Sequence, residues 1–127
     1  YLQTPNISLI HYNYIEGNDY SELEKYLESV SKDNDFEILL SHRPELMWLY
    51  KKCKVDLVFT GHVHGGQIRL PFVGGIIGPD QGFFPKYDSG EFVEEDTTMI
   101  LSRGLGNSVF PFRIFNRPEF VLVELGK

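Results

Sequence analysis

Residues 36–66 read FEILLSHRPELMWLYKKCKVDLVFTGHVHGG, and this stretch decides the fold. The segments 36–41 and 56–60 are short apolar runs, which predict buried strands. Between them, Pro44 suits the first turn of a helix, so a helix is predicted with residues 45–52, ELMWLYKK, as its body. The order strand, helix, strand is typical of an α/β sheet.

The segment before this stretch continues the alternation. Residues 7–12, ISLIHY, predict a strand, and residues 21–31, SELEKYLESVS, predict an amphipathic helix because their apolar side chains recur at helical spacing. Ser21 and Glu24 have the spacing of a capping box, which predicts the start of this helix. The first half of the chain therefore follows the order strand, helix, strand, helix, strand.

The second half predicts strands joined by long loops. Residues 67–70, 97–102 and 120–125 predict strands. Residues 71–90 carry five glycines and three prolines, which predicts a long irregular loop. The expected architecture is a single α/β domain over residues 1–127, with a sheet whose later half is antiparallel or mixed.

Composition and charge narrow the possible functions. An apolar content of 42% and an aromatic content of 14% predict globular material. The net charge is −6 and no run of Lys or Arg is present, which argues against a nucleic-acid-binding surface. No apolar stretch approaches the roughly 20 residues of a membrane span. These features leave two locations open, the cytoplasm and a membrane reached through an N-terminal segment outside this sequence.

Polar residues that could bind a ligand or take part in catalysis follow three of the predicted strands. His42 comes after the strand at 36–41, and His62 and His64 come after the strand at 56–60. Arg103 follows a third strand. In open α/β sheets, ligands bind at the carboxyl ends of the strands, so we expect these side chains at one edge of the sheet.

The pair His62 and His64 is the strongest of these signals. In extended backbone, residues i and i+2 point the same way with Cα atoms roughly 7 Å apart, so both rings could face one place. Two metal ions about 3.5–4 Å apart could each take one ring. Gly61, Gly65 and Gly66 would let the main chain turn without crowding the ions. The alternative is a glycine-rich turn with two solvated histidines.

Three segments together carry a family resemblance. LLSHRPE followed by DLVFTGHVHGGQIRLP resembles the last two metal-binding motifs of the calcineurin-like metallophosphoesterases, and in particular the bacterial branch with GHxHGGQxRLP. RGLGNSVFPFRIFNRPE, which begins at Arg103, resembles the closing segment of that branch. The likeness runs from about Phe36 to Leu125.

The resemblance implies a fold and a chemistry. It implies the C-terminal half of a layered α/β/β/α sandwich that hydrolyses phosphate mono- or diesters with a metal-activated hydroxide. His42 and His62 match ligands of the second metal, and His64 matches a ligand of the first. The complete domain would hold two divalent ions, for which neutral imidazole suits Mn, Fe, Zn or Ni.

The family motifs of the first half of the domain are missing from this sequence. Asp-x-His, Gly-Asp-x-x-Asp and Gly-Asn-His are absent, and residues 17–19, GND, are only a partial echo without the histidine. No general acid and no bridging carboxylate can be identified. The expected partners are therefore a phosphate-ester substrate, the missing N-terminal half of the domain and, through exposed apolar faces, a second copy. The alternative function is a non-catalytic metal-binding or interaction half-domain.

Two further segments carry weaker signals. Arg103, Gly104, Gly106 and Asn107 could bind a phosphate through backbone N–H groups and the arginine charge, with Arg113 as a further cation. A flexible surface loop is the alternative for this segment. The aromatic residues of the glycine-rich loop could form an apolar rim for a lipid-like substrate or pack against the other half of the domain.

Overall fold

A five-stranded mixed sheet organises the chain. The computed structural model describes residues 6–11, 20–32, 35–107 and 112–126. The strands are β1 Ile7–His11, β2 Phe36–Leu40, β3 Leu57–Thr60, β4 Arg69–Leu70, β5 Gly74–Gly75, β6 Ile77–Gly78, β7 Gly82–Phe83, β8 Gly90–Glu94 and β9 Thr97–Leu101. The α-helices are α1 Ser21–Val30 and α2 Met47–Lys52, and a 3-10 turn at Pro44–Leu46 leads into α2.

The strand order of the large sheet is β1-β2-β3-β9-β8. The first four strands in this order are parallel, and β8 pairs antiparallel with β9 at the edge. Helix α1 connects β1 to β2 and helix α2 connects β2 to β3, as crossover connections in parallel sheets require. The α/β class and the mixed sheet predicted from the sequence are confirmed.

One face of this sheet is the core of the described structure. The strand register aligns Ile10 with Leu39, Leu39 with Val58, and Val58 with Met99 across four strands. Both helices pack over this row through buried side chains, which include Leu23, Leu27, Met47, Leu49 and Tyr50. This face stabilises the sheet because it removes these apolar side chains from water.

The opposite face is open along its edges. Leu9 on β1 and Val93 on β8 are 66% and 63% exposed. Within the residues that the structure describes, neither α-helix belongs to this face, and the segment around Phe120 lies beside Phe59 and Ile100 along a groove of about 300 Å³. A partly uncovered apolar face of this kind is consistent with half of a layered α/β sandwich. Self-association through it stays a prediction.

The start of α1 differs from the prediction. The residue that caps the helix is Tyr20, no side-chain capping bond is formed, and Ser21 already lies inside the first turn. Glu24 donates its backbone N–H to the Tyr20 carbonyl at 3.0 Å, and its carboxylate pairs with Lys52 Nζ at 2.6 Å. The capping-box prediction was wrong because Ser21 has helical rather than extended backbone, so its hydroxyl cannot take the N-cap position.

Two further predictions require correction, and one strand was not predicted. Residues 120–125 are not a strand, since no neighbouring strand pairs with them in the described structure. Residues 71–90 are not wholly irregular, because they contain β5 and the β6–β7 hairpin. The edge strand β8 was not predicted, because its charged residues obscure the alternation of apolar and polar positions.

No helix among the described residues is long and apolar enough to cross a membrane.

Candidate functional site

Three loops meet at the carboxyl edge of the parallel strands. The pairing of the backbone continues beyond the strands, because Ser41 N–H donates to Phe59 O at 3.0 Å and Ser102 N–H donates to Thr60 O at 3.0 Å. The loops that begin after β2, β3 and β9 are therefore held side by side. This arrangement places the segments that contain His42, the histidine pair and Arg103 at one edge, as the sequence predicted.

His42 and His62 lie against each other. Their ring centroids are 4.4 Å apart and the ring planes are inclined by 52°. The His42 turn is fixed from below by Tyr50, whose hydroxyl donates to Arg43 O at 2.7 Å and bonds Ser41 Oγ at 2.7 Å. Burial raises the pKa of Tyr50, so the phenol remains a neutral donor.

The backbone of the histidine pair is a tight turn and not an extended segment. His62 has a φ of 72° and His64 a φ of 49°, both in the left-handed region. Val63 N–H donates to Gly61 O at 2.9 Å, and the Val63 side chain is fully buried in the core. The prediction of extended backbone at this pair was therefore wrong, because Val63 anchors a tight turn inward. That both rings serve one metal site stays a prediction.

His64 takes different surroundings from His62. Its Nδ1 lies 3.5 Å from Arg113 Nη2, and Arg113 also donates to Arg103 O at 2.8 Å and to Gly106 O. Among the described residues, no group of three or more His, Cys, Asp or Glu side chains is arranged around one point as a metal site. The structure thus brings His42 and His62 together and leaves His64 beside them, next to a guanidinium.

Electrostatics keep the two histidines of the turn neutral. Burial lowers the pKa of His62, and the neighbouring His42 lowers it further. Burial also lowers the pKa of His64, and the positive charge of Arg113 acts in the same direction. The lowered pKa values favour neutral imidazole, which is the form in which a histidine can bind a metal ion.

Asp80 is a carboxylate of this edge that the sequence pattern did not predict. Its Oδ2 lies 3.7 Å from His62 Nε2 and 4.0 Å from Arg43 Nη2. It lies between β6 and β7, inside the loop that was predicted to be irregular. Nothing in the spacing of the sequence distinguishes Asp80 from other loop acids, and only the packing of the hairpin brings it to the histidines.

The glycines after the histidines are required by close packing. A β-carbon at Gly65 would lie 2.5 Å from Asn116 Oδ1 and 2.8 Å from Arg103 Cδ, and a β-carbon at Gly66 would overlap Gly75 Cα. Both glycines also have positive φ angles, 66° and 76°. These glycines therefore let the turn contact the C-terminal segment and β5. That they also keep side chains clear of bound ions stays a prediction.

The predicted phosphate loop is already engaged within the chain. Arg103 Nε donates to Glu119 Oε2 at 2.7 Å, its Nη2 also pairs with Glu119, and its backbone N–H reaches Oε1 at 3.3 Å. Gly104 N–H donates to Ser102 Oγ at 3.0 Å. Burial opposes ionisation of Glu119, but the bonds from Arg103 outweigh it and lower the Glu119 pKa. Phosphate binding by this loop, which also contains Gly106 and Asn107, stays a prediction.

Comparison with known proteins finds relatives that are named as phosphoesterases or as a pyrophosphatase. The chain is 39% identical over 93 residues, 73% of its length, to "Uncharacterized metallophosphoesterase YkuE" of Bacillus subtilis, of which the match covers 32%. It is 32% identical over 95 residues, 75% of its length, to "Phosphodiesterase YaeI" of Escherichia coli, of which the match covers 34%. It is also 32% identical over 99 residues, 68% of its length, to "UDP-2,3-diacylglucosamine pyrophosphatase LpxG" of Chlamydia muridarum, with 28% of that protein covered.

The names of these relatives agree with the resemblance that the motifs around His42, His62 and His64 indicated. The chain spans about a third of the length of these curated relatives. No family model matches the chain, and no solved structure matches it. The relatives carry metallophosphoesterase, phosphodiesterase or pyrophosphatase in their names, and the matches cover 68–75% of this sequence. The chain belongs to the calcineurin-like metallophosphoesterase family.

Proposed function

We propose that the chain forms the histidine side of a metal-dependent phosphoesterase that hydrolyses phosphate mono- or diesters. One observation carries the proposal: three loops meet at the carboxyl edge of the sheet and bring the His42 and His62 rings to a centroid distance of 4.4 Å. The names of the relatives support hydrolysis of phosphate esters as the reaction.

The donor groups at this edge fit divalent metal ions. His42 and His62 would hold one ion and His64 the other, with Mn, Fe, Zn or Ni as the candidate metals because these accept neutral imidazole. Bound ions would supply a hydroxide nucleophile and polarise the phosphoryl oxygens. Asp80 Oδ2 lies 3.7 Å from His62 Nε2, and its negative charge would help to orient this ring, as carboxylates do behind metal-ligating histidines.

The positive charge for a phosphate group would come from the arginines at this edge. Arg103 is paired with Glu119, so much of its charge is already compensated. Arg113 lies next to His64 and donates to backbone carbonyls instead of a carboxylate. We assign the direct contact with a phosphate oxygen to Arg113, and the shaping of the loop to Arg103, Gly104, Gly106 and Asn107.

The described residues also favour a second candidate, a half-domain that binds metal without turnover. Three neutral histidines supply no negative charge, and two dications close together repel each other strongly. A bridging carboxylate would offset this repulsion, and the chain's motifs provide none. We therefore expect this chain by itself to bind at most one ion and to show no turnover above that of free metal.

The experiment is a metal titration followed by an activity assay. Mn²⁺ and Zn²⁺ are titrated by calorimetry, and hydrolysis of p-nitrophenyl phosphate and its bis-ester is measured with each ion. Binding should be lost in the variant with His62→Ala and His64→Ala and retained in His11→Ala, which removes an exposed histidine of β1.

Two outcomes would contradict the proposal. Metal binding that survives the double substitution would show that the ligands lie elsewhere. Hydrolysis that survives it would show that the reaction does not depend on this edge. The parent reading frame should also contain the three missing motifs upstream, and their absence there would favour the non-catalytic half-domain.

A further inference from the structure

The turn that carries His62 and His64 needs support from outside itself. His62, His64 and Gln67 are non-glycine residues with positive φ angles within six positions, and Gly65 and Gly66 between them are also left-handed. Such backbone persists only where the surroundings hold it. The contacts that hold this turn therefore decide where the two imidazoles lie.

Asn116 makes the principal contact on one side. It is only 2% exposed, and its Nδ2 donates to His64 O at 2.6 Å and to Gln67 O at 3.1 Å. These two carbonyls lie at the start and just beyond the end of the 3-10 turn His64–Gly66. An amide nitrogen has two hydrogens, so one side chain satisfies both carbonyls at once.

The backbone next to Asn116 reinforces this contact. Ile114 N–H donates to Gln67 O at 3.3 Å, and Arg69 N–H donates to Ile114 O at 3.0 Å. The C-terminal segment is thus aligned with the strand that leaves the turn. This alignment fixes the Asn116 side chain relative to the histidines.

A second group holds the other side of the turn. Arg69 Nη1 donates to Gly65 O at 3.0 Å and to Asp88 Oδ2 at 2.9 Å. Asp88 Oδ2 also accepts the Gly75 N–H at 2.6 Å, which ties the group to β5. The carbonyls of His64, Gly65 and Gln67 are therefore all bonded by side chains that lie outside the turn.

We propose that Asn116 is a positioning residue for the metal ligand His64, acting through the His64 carbonyl. This inference rests on the proposed function, because the importance of the imidazole position depends on metal binding. Asn116 itself does not touch the metal or the substrate. Its bond to His64 O fixes the peptide plane after His64, and its bond to Gln67 O fixes the end of the turn. The first of these planes sets the direction in which the imidazole leaves the backbone.

The test compares three variants. Asn116→Asp keeps the shape of the side chain but removes both donor hydrogens, and Asn116→Ser keeps one donor in a smaller side chain. Asn6→Asp is the control, because it makes the same chemical change at an exposed position just before β1, away from the carboxyl edge of the sheet. Each protein is studied at a temperature well below its unfolding transition.

Two readouts separate positioning from general stability. Calorimetry with Co²⁺ alone measures metal affinity, and nuclear magnetic resonance of ¹⁵N-labelled histidine reports the ring nitrogens of His64 and His11 in the metal-free protein. We expect Asn116→Asp to weaken Co²⁺ binding by about 10- to 100-fold, as is usual for residues that orient metal ligands. The His64 ring signals should shift while the His11 signals do not, and Asn116→Ser should lie between.

Three outcomes would contradict the positioning role of Asn116 or separate it from metal binding. Unchanged His64 signals with Co²⁺ affinity within twofold of the parent chain, in a folded Asn116→Asp protein, would overturn the proposal. If neither Asn116 variant folds, the residue is structural and the proposal fails. If the unsubstituted chain binds no Co²⁺, the metal function fails, but a selective shift of the His64 signals would still show the positioning role.

Discussion

The two histidine loops at the sheet edge are held in different ways. The His42 turn is fixed by Tyr50, whose hydroxyl bonds groups only seven and nine residues away in the chain. The turn of His62 and His64 is fixed by Asn116, whose two bonds span 52 and 49 residues. One ligand loop is thus built from its own neighbourhood, and the other needs the C-terminal segment in place. The His42 loop should therefore tolerate damage elsewhere better than the other loop does.

The largest effect is expected from Gly66→Ala, which breaks the second loop directly. The added β-carbon would overlap Gly75 Cα, and the φ of 76° is strained for alanine. Overpacking and backbone strain together should lower the free energy of unfolding by about 3–5 kcal/mol. Urea unfolding of both proteins measures the difference.

Gly82→Ala is the matched control for this substitution. Gly82 has a similar φ of 73°, but a β-carbon added there would have no other atom within 4 Å among the described residues. The strain alone should cost about 1–2 kcal/mol. Equal losses of unfolding free energy in the two variants would show that the close approach of Gly66 to β5 adds nothing to the cost of the substitution.

A smaller effect is expected from Tyr50→Phe, which tests the first loop. The Arg43 carbonyl would lose its donor in a buried setting, at a cost of about 1–3 kcal/mol. The His42 ring signals should shift and the backbone amides of residues 64–67 should keep their protection against hydrogen exchange. Tyr26→Phe, at an exposed hydroxyl, is the control and should change stability by about 0.5 kcal/mol or less. Loss of protection at residues 64–67 would show that the loops are coupled.

The smallest effect concerns Glu94, at the end of β8 away from both loops. A hydrogen bond from Lys86 and another from Tyr87 lower the Glu94 pKa to about 2. A carboxyl with a lowered folded pKa stabilises the protein above its unfolded pKa of 4.5 and loses this contribution as the pH falls toward 2. Urea unfolding at pH 7, 4 and 3 should therefore show a smaller decrease for Glu94→Gln than for the unsubstituted chain. An identical decrease would exclude Glu94 as a source of the acid sensitivity.

The apolar pattern of the sequence determined the class of fold and the edge at which the site lies. The strands β1, β2, β3 and β9 and both helices were predicted near their observed positions, because burial on a parallel sheet produces continuous apolar runs. Strand ends then located His42, His62, His64 and Arg103 at one edge. The motif around the histidine pair indicated the family, because its residues are adjacent in the chain and can be recognised without the structure.

Only the tertiary structure decided how the site is assembled. The left-handed turn at His62 and His64, the approach of Asp80 and the pairing of Arg103 with Glu119 all depend on segments that are distant in sequence. Short-range periodicity carries no information about such contacts, because they depend on how loops pack after the sheet has formed. For the same reason the strand predicted at residues 120–125 failed, since an apolar run becomes a strand only where another strand can pair with it.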